Sequence, residues 1–173
     1  MNAEQAKFLA EHYARMIENE IPTTTKVLNA VGRGNGDYKP DPKSRSAIEL
    51  ARHIAAADAW FFQSVLDGSF VFDQAESDKA EARLATAADA AAFYEKTMRE
   101  KVSQLRATPA EKLAKEVDFF GFMNAPAVTF LAMVQNHSVH HRGQLAAYLR
   151  AMGSAVPSIY GGSADEPFQV ATA

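Results

Sequence analysis

Three of the five histidines in this chain, His137, His140 and His141, fall within one short stretch, VQNHSVHHRGQLAAYLRAMG, from Val134 to Gly153. Imidazole can ligate a metal, shuttle a proton or pack as a hydrogen-bonded core group. Spacing separates the three residues. On a helix, His141 lies about 40° from His137, whereas His140 lies about 60° to the other side. Phe130, Val134 and Tyr148 share the side of His137 and His141, so that pair faces inward, one turn apart. His140 sits on the flank and is not expected to be a primary ligand. A fourth histidine, His53, shares its helical side with Leu50, Ala57, Trp60 and Ser64 and also points inward. Ala56 and Ala57 leave room beside it. If the two helices are neighbours, three imidazoles can meet.

Three imidazoles suit a zinc-like ion, leaving a further position open. The chain has no cysteine, so any metal is held by nitrogen and oxygen. The pair is not the HExxH of a zincin, because Ser138 follows His137, and a catalytic base must come from elsewhere. Packing remains the competing reading, since histidine pairs at this spacing are common and a buried histidine is usually a core residue. His12 is expected to be half exposed rather than a ligand. Glu11 and Asp58 are read as solvated acids or acids behind the ligands. Arg142 is read as tying a loop carboxylate, and Gly143 as permitting close approach of another backbone. Tyr148, Trp60 and Phe61 are read as packing.

The elements that must position these groups are helical. A first helix is expected over about Ala3 to Val31, with Phe8, Leu9, Met16, Val27 and Val31 on its apolar side and a bend or break at Pro22. GRGNGDYKPDPKS is a loop. A second helix covers about Ser46 to Leu66, with Ser44 or Ser46 as its cap, Glu49 three residues after Ser46 as in a capping box, and Gly68 as its stop. Phe70 to Phe72 is read as loop. A third helix runs from Ser77 or Lys79 to Leu105. Thr108, Pro109 and Glu111 start a short helix ending near Val117, and DFFGFMNAP is a loop that packs over the bundle end or lines a pocket. The fourth long helix covers about Pro126 to Met152 and stops at Gly153. These segments predict one all-α domain over residues 1–161, a four-helix bundle with long crossover connections, and a flexible tail over 162–173.

Composition narrows the function classes. The chain has 173 residues, 47% apolar and 23% charged, with a net charge of −3. That is a globular balance. No basic run supports nucleic-acid binding or a membrane surface role. The first residues carry no apolar signal segment, so a cytoplasmic protein is expected.

HSVHHRGQLAAYLRAMG followed by VPSIYG, together with YKPDPKSRSAIELARHIAAADAWFF, resembles the DinB-like (DinB/YfiT) superfamily of metal-dependent four-helix bundles. The resemblance implies a bundle with crossover connections, often a homodimer. It implies nickel or zinc held by His53, His137 and His141, with His140 outside the ligand set. Some relatives are thiol-dependent isomerases or S-transferases that use mycothiol or bacillithiol. The expected function is therefore a metal-dependent enzyme, a hydrolase or thiol S-transferase, activating a water or a low-molecular-weight thiol for a small-molecule substrate. The alternatives are a non-catalytic metal- or small-ligand-binding bundle and a metal-free interaction protein.

Overall fold

The computed structural model describes residues 1–168. Four long helices form the bundle: α1 (Ala3–Val31), α2 (Ala47–Asp67), α4 (Ala87–Ala107) and α6 (Leu131–Ala151). Two shorter ones, α3 (Gln74–Ala82) and α5 (Ala110–Ala114), lie in the connections. Helix α1 packs on α4 and α6, and α2 packs on the same two, whereas α1 and α2 barely meet. The helices thus form a square with α1 and α2 on one diagonal, α4 and α6 on the other. The connections α1–α2 and α4–α6 must cross that square, which accounts for their length.

The helix starts follow their caps. Asn2 and Gln5 form a reciprocal capping box on α1, as do Ser46 and Glu49 on α2. Helix α2 ends at Gly68, whose φ of 74° places it in the left-handed region that glycine enters without strain.

Several expectations are corrected. Pro22 does not interrupt α1, which continues through it. An interior proline costs a helix roughly 3 kcal/mol, and the buried row Ile17, Ile21, Thr24 and Leu28 on either side of Pro22 offsets that cost by packing into the core. Phe8 is 71% exposed rather than buried. The inward face there is Ala6, Ala10 and Ala14, so α1 approaches its neighbours through small side chains. The expected third helix is two. Thr86 and Asp89 form a capping box that starts α4 afresh, and α3 before it buries no side chain. Helix α5 ends earlier than expected, and Thr108 does not cap it; its hydroxyl donates to the Gln104 carbonyl (2.8 Å).

The phenylalanine-rich connection is not a plain loop but a hairpin. Strands β1 (Glu116–Phe119) and β2 (Met123–Pro126) pair antiparallel, with Glu116 opposite Pro126 and Phe119 opposite Met123. Phe120 and Gly121 both have positive φ (53° and 75°), as a primed hairpin turn requires. The Asp118 carboxylate accepts the Gly121 N–H at 3.0 Å. The hairpin lies outside the four-helix core, and the fold is the all-α bundle expected. The last helix begins one 3₁₀ turn later than Pro126, after Ala127–Phe130.

Of the tail expected to be flexible from residue 162, residues 169–173 lie outside those described. Within its described part, Asp165 pairs with Arg150 (2.6 Å) and accepts the Val156 N–H (2.8 Å), while Glu166 pairs with Lys26. No helix among the described residues is long and apolar enough to cross a membrane.

Candidate metal centre

Because α2 and α6 are neighbours in the square, their inward histidines face each other. His53 from α2 meets His137 and His141 from α6, and among the described residues these three form the one His/Asp/Glu cluster compact enough to hold an ion. One ligand-capable atom from each lies within 4.8 Å of the others. Ring centroids stand 5.1 Å apart for His53–His137, 4.9 Å for His53–His141 and 4.5 Å for His137–His141.

Each ring is held from behind by a different acceptor. Nδ1 of His137 lies 2.6 Å from Asp58 Oδ1, Nδ1 of His53 lies 3.2 Å from Glu81 Oε1, and Nδ1 of His141 lies 3.1 Å from Gln144 Oε1. Gln144 in turn donates to the Tyr148 hydroxyl (3.2 Å). An acceptor at Nδ1 selects the tautomer that carries its proton there, so the lone pair of a neutral ring is at Nε2. The Nε2 atoms of His53 and His137 face each other at 3.2 Å. Two lone pairs at that distance repel unless a proton or a cation lies between them. Two imidazole nitrogens bound to one tetrahedral ion at 2.0–2.1 Å would stand about 3.3 Å apart. The donor set and the separation both fit a divalent transition ion.

Electrostatics favour the ligand form. Burial, then the charge of Arg45 and the other two rings, pushes His53 down to about 3. Burial also lowers His141, opposed by its bond to Gln144. Both rings are therefore neutral near pH 7. Complete burial pushes the Asp58 carboxyl above its ordinary range, and the His137 N–H opposes that rise. The other carboxylate oxygen, Oδ2, is buried without a partner. Burial raises Glu81 as well, with Arg45 counteracting it.

The remaining sequence candidates are distributed as follows. His140 is exposed; its ring touches that of His141 (4.8 Å) but lies outside the cluster. His12 is exposed against Tyr13 and does not belong to the cluster. Arg142 is structural, as expected, but the carboxylate it ties is Glu20 of helix α1 rather than one in a loop. It is 1% exposed and donates to Glu20 (2.5 Å), Thr24 (3.0 Å) and the Tyr160 hydroxyl (2.5 Å). Gly143 is exposed, and a Cβ there would meet nothing within 4 Å, so the expected close approach of a backbone does not occur within the chain. Phe61 is core, but Trp60 is only partly buried and forms the wall of a cleft.

That cleft, about 240 Å³, opens beside His53 and His137 under α3. Trp60, Phe61 and Phe72 make its apolar side, and Arg45, Ser77 and Glu81 are among its polar groups. The hairpin stands one layer back, with Phe119 stacked on Phe61 at 5.8 Å, so DFFGFMNAP backs the wall of this cleft and does not line it. Glu81 and Ser77 were not singled out from sequence. They lie in an acidic, alanine-rich segment with the appearance of a solvated helix, and no periodicity links Glu81 to His53.

A four-helix bundle with a half-buried imidazole cluster between two adjacent helices defines the class of protein. The DinB family model matches residues 1–169, and the chain belongs to the DinB family. It is 28% identical over 132 residues to the protein YjoA of Bacillus subtilis (strain 168), covering 75% of this chain and 82% of that one. The crystal structure of that DinB-like protein matches with a TM-score of 0.65 and 23% identity over 86% of this chain and 96% of its own. A DinB-like protein from Bacillus cereus ATCC 10987 matches with a TM-score of 0.71 and 24% identity over 87% and 97%. Both have the same fold.

Proposed function

We propose that the protein is a metal-dependent enzyme whose ion, nickel or zinc, is held by His53, His137 and His141. The observation that supports this most directly is the set of three Nδ1 atoms, each engaged by its own acceptor, which leaves the three Nε2 atoms free to ligate, those of His53 and His137 facing each other at 3.2 Å. When bound, such an ion supplies a Lewis acid that lowers the pKa of a water or a low-molecular-weight thiol brought to it.

The chain's own residues do the rest. Asp58, Glu81 and Gln144 fix the tautomer and orientation of the three rings. Trp60, Phe61 and Phe72 exclude water from one side of the cleft. Arg45 places positive charge beside it. A closed, dry cluster would favour a non-catalytic binding protein, whereas here a cleft wall includes two of the three histidines, which favours an enzyme.

Elemental analysis of untagged protein tests the reading, run beside His137→Ala. One equivalent of a transition metal in the parent and little in the variant is expected. A parent that takes up no zinc or nickel after reconstitution would sink the proposal. Turnover of candidate substrates with a low-molecular-weight thiol then separates S-transferase from hydrolase. Light scattering decides the homodimer that belongs to the same proposal.

A further inference from the structure

The unsatisfied polar groups of the cleft say what it would bind. The carboxylate of Glu81 has both oxygens engaged, one by His53 and the other by Arg45 Nη1 at 3.1 Å. Among the described residues, the Nε and Nη2 of Arg45 and the hydroxyl of Ser77 have no hydrogen-bond partner, and the Arg45 side chain is 48% exposed. Gln74 also keeps a free amide oxygen, a neutral acceptor, so the one charged group of the cleft with directions left for a ligand is the Arg45 guanidinium. The facing wall is aromatic. Trp60 is fixed edge-on to Phe61 (5.4 Å) and Phe72 (5.5 Å), and its indole N–H donates to the Val71 carbonyl at 2.9 Å. The indole polar group is thus already satisfied, and its ring presents carbon to the cleft. The space of about 240 Å³ falls below the roughly 300–1,000 Å³ of sites for drug-sized ligands.

We propose that this cleft binds a small carboxylate with a compact apolar body, its anionic end on Arg45 and Ser77 and its apolar part against Trp60, Phe61 and Phe72. A guanidinium with two free N–H directions matches a planar carboxylate by paired hydrogen bonds. Aromatic edges and faces cover the remainder, and nothing long can be enclosed. The inference names the substrate class for the metal-dependent reading above, and rests on it only in taking the cleft as the substrate's place.

The chain carries a single tryptophan, so emission from Trp60 reports on the cleft directly. Full-length protein stripped of metal is titrated with benzoate and with its neutral isostere benzamide. Saturable change with benzoate is expected, with benzamide at least tenfold weaker. Arg45→Gln is expected to weaken benzoate at least tenfold and to leave benzamide binding unchanged, which also reports that the variant is folded. Equal binding of the two ligands by the parent, no response to either, or an Arg45→Gln variant that holds benzoate like the parent would each overturn the proposal. The titration is repeated on a zinc-treated sample. Benzoate binding that appears only there and survives Arg45→Gln would assign the anion to the ion and overturn it too. Zinc uptake, measured on the same sample by equilibrium dialysis, decides the metal reading separately, since the metal-free titration does not depend on it.

Discussion

The Asp58 carboxylate lies 2.6 Å from Nδ1 of His137, is fully buried, and comes from the same helix as His53. One helix thus supplies both an imidazole of the cluster and the acceptor that orients an imidazole of the other helix. A buried carboxylate is costly to keep, and its place behind His137 gives it a use.

Replacing that carboxylate should weaken metal binding without removing a ligand. Asp58→Asn keeps the shape but loses the charge, and it can present its amide N–H₂ to His137 in place of an acceptor. Loss of a group behind a ligand typically costs about 10–100-fold in metal affinity, and that range is expected here. Competition with a chromogenic chelator measures it. His140→Ala, at an exposed flank position, should leave the same affinity within about twofold of the parent. An Asp58→Asn protein that binds zinc like the parent would show that the carboxylate does not tune the site.

Acid should act on the metal-free protein through His53. Burial in the fold pushes its pKa from the ordinary 6.5 down to about 3. Between those values the unfolded chain binds more protons than the folded one, so stability rises with pH across the window. The contribution is complete above pH 6.5 and is lost as pH falls towards 3. His141, also lowered, acts in the same direction. Urea midpoints at pH 7.5, 6, 5 and 4 should decline steadily, and His53→Gln should flatten the decline. Proton release on zinc binding at pH 7, read by calorimetry in buffers of different ionisation enthalpy, should be well below one per His53, because that ring is already neutral.

Arg142 joins α6 to α1 and to the segment after α6 through Glu20, Thr24 and Tyr160. Arg142→Ala would leave the Glu20 carboxylate beside the core with the Tyr160 hydroxyl (3.1 Å) but without its cationic partner. Removing one member of a buried pair costs about 3 kcal/mol or more. Chemical denaturation should show a loss of that order. Arg142→Lys should lose less, since it keeps the charge and forfeits the fork that reaches three partners.

Helical spacing was enough to select His53, His137 and His141 and to exclude His140, because inward direction on a regular helix is fixed by sequence separation alone. Caps were equally legible at Ser46 and Glu49. The Thr86–Asp89 box carried the same signal, but alanine-rich sequence on both sides of it reads as one continuous helix. Phe8 was misplaced because apolar size is not inwardness. Where helices approach closely, Ala6, Ala10 and Ala14 take the interior and the large ring is left outside. The hairpin rests on a turn with Phe120 at positive φ, a conformation no phenylalanine favours by itself. Glu81 reaches His53 only through the packing of α3 on α2. The sequence marks it as one more acid on a solvated helix.

The order of the helices along the chain has a consequence for biosynthesis. His53 and His137 are separated by 84 positions, and α6, which packs on both α1 and α2, is the last of the four long helices along the chain. A growing chain therefore carries His53 without its two α6 partners for about half of its length. The three-nitrogen trap is completed only when the last long helix docks. An ion held there as proposed would thus be selected by the nearly finished molecule from the ions around it.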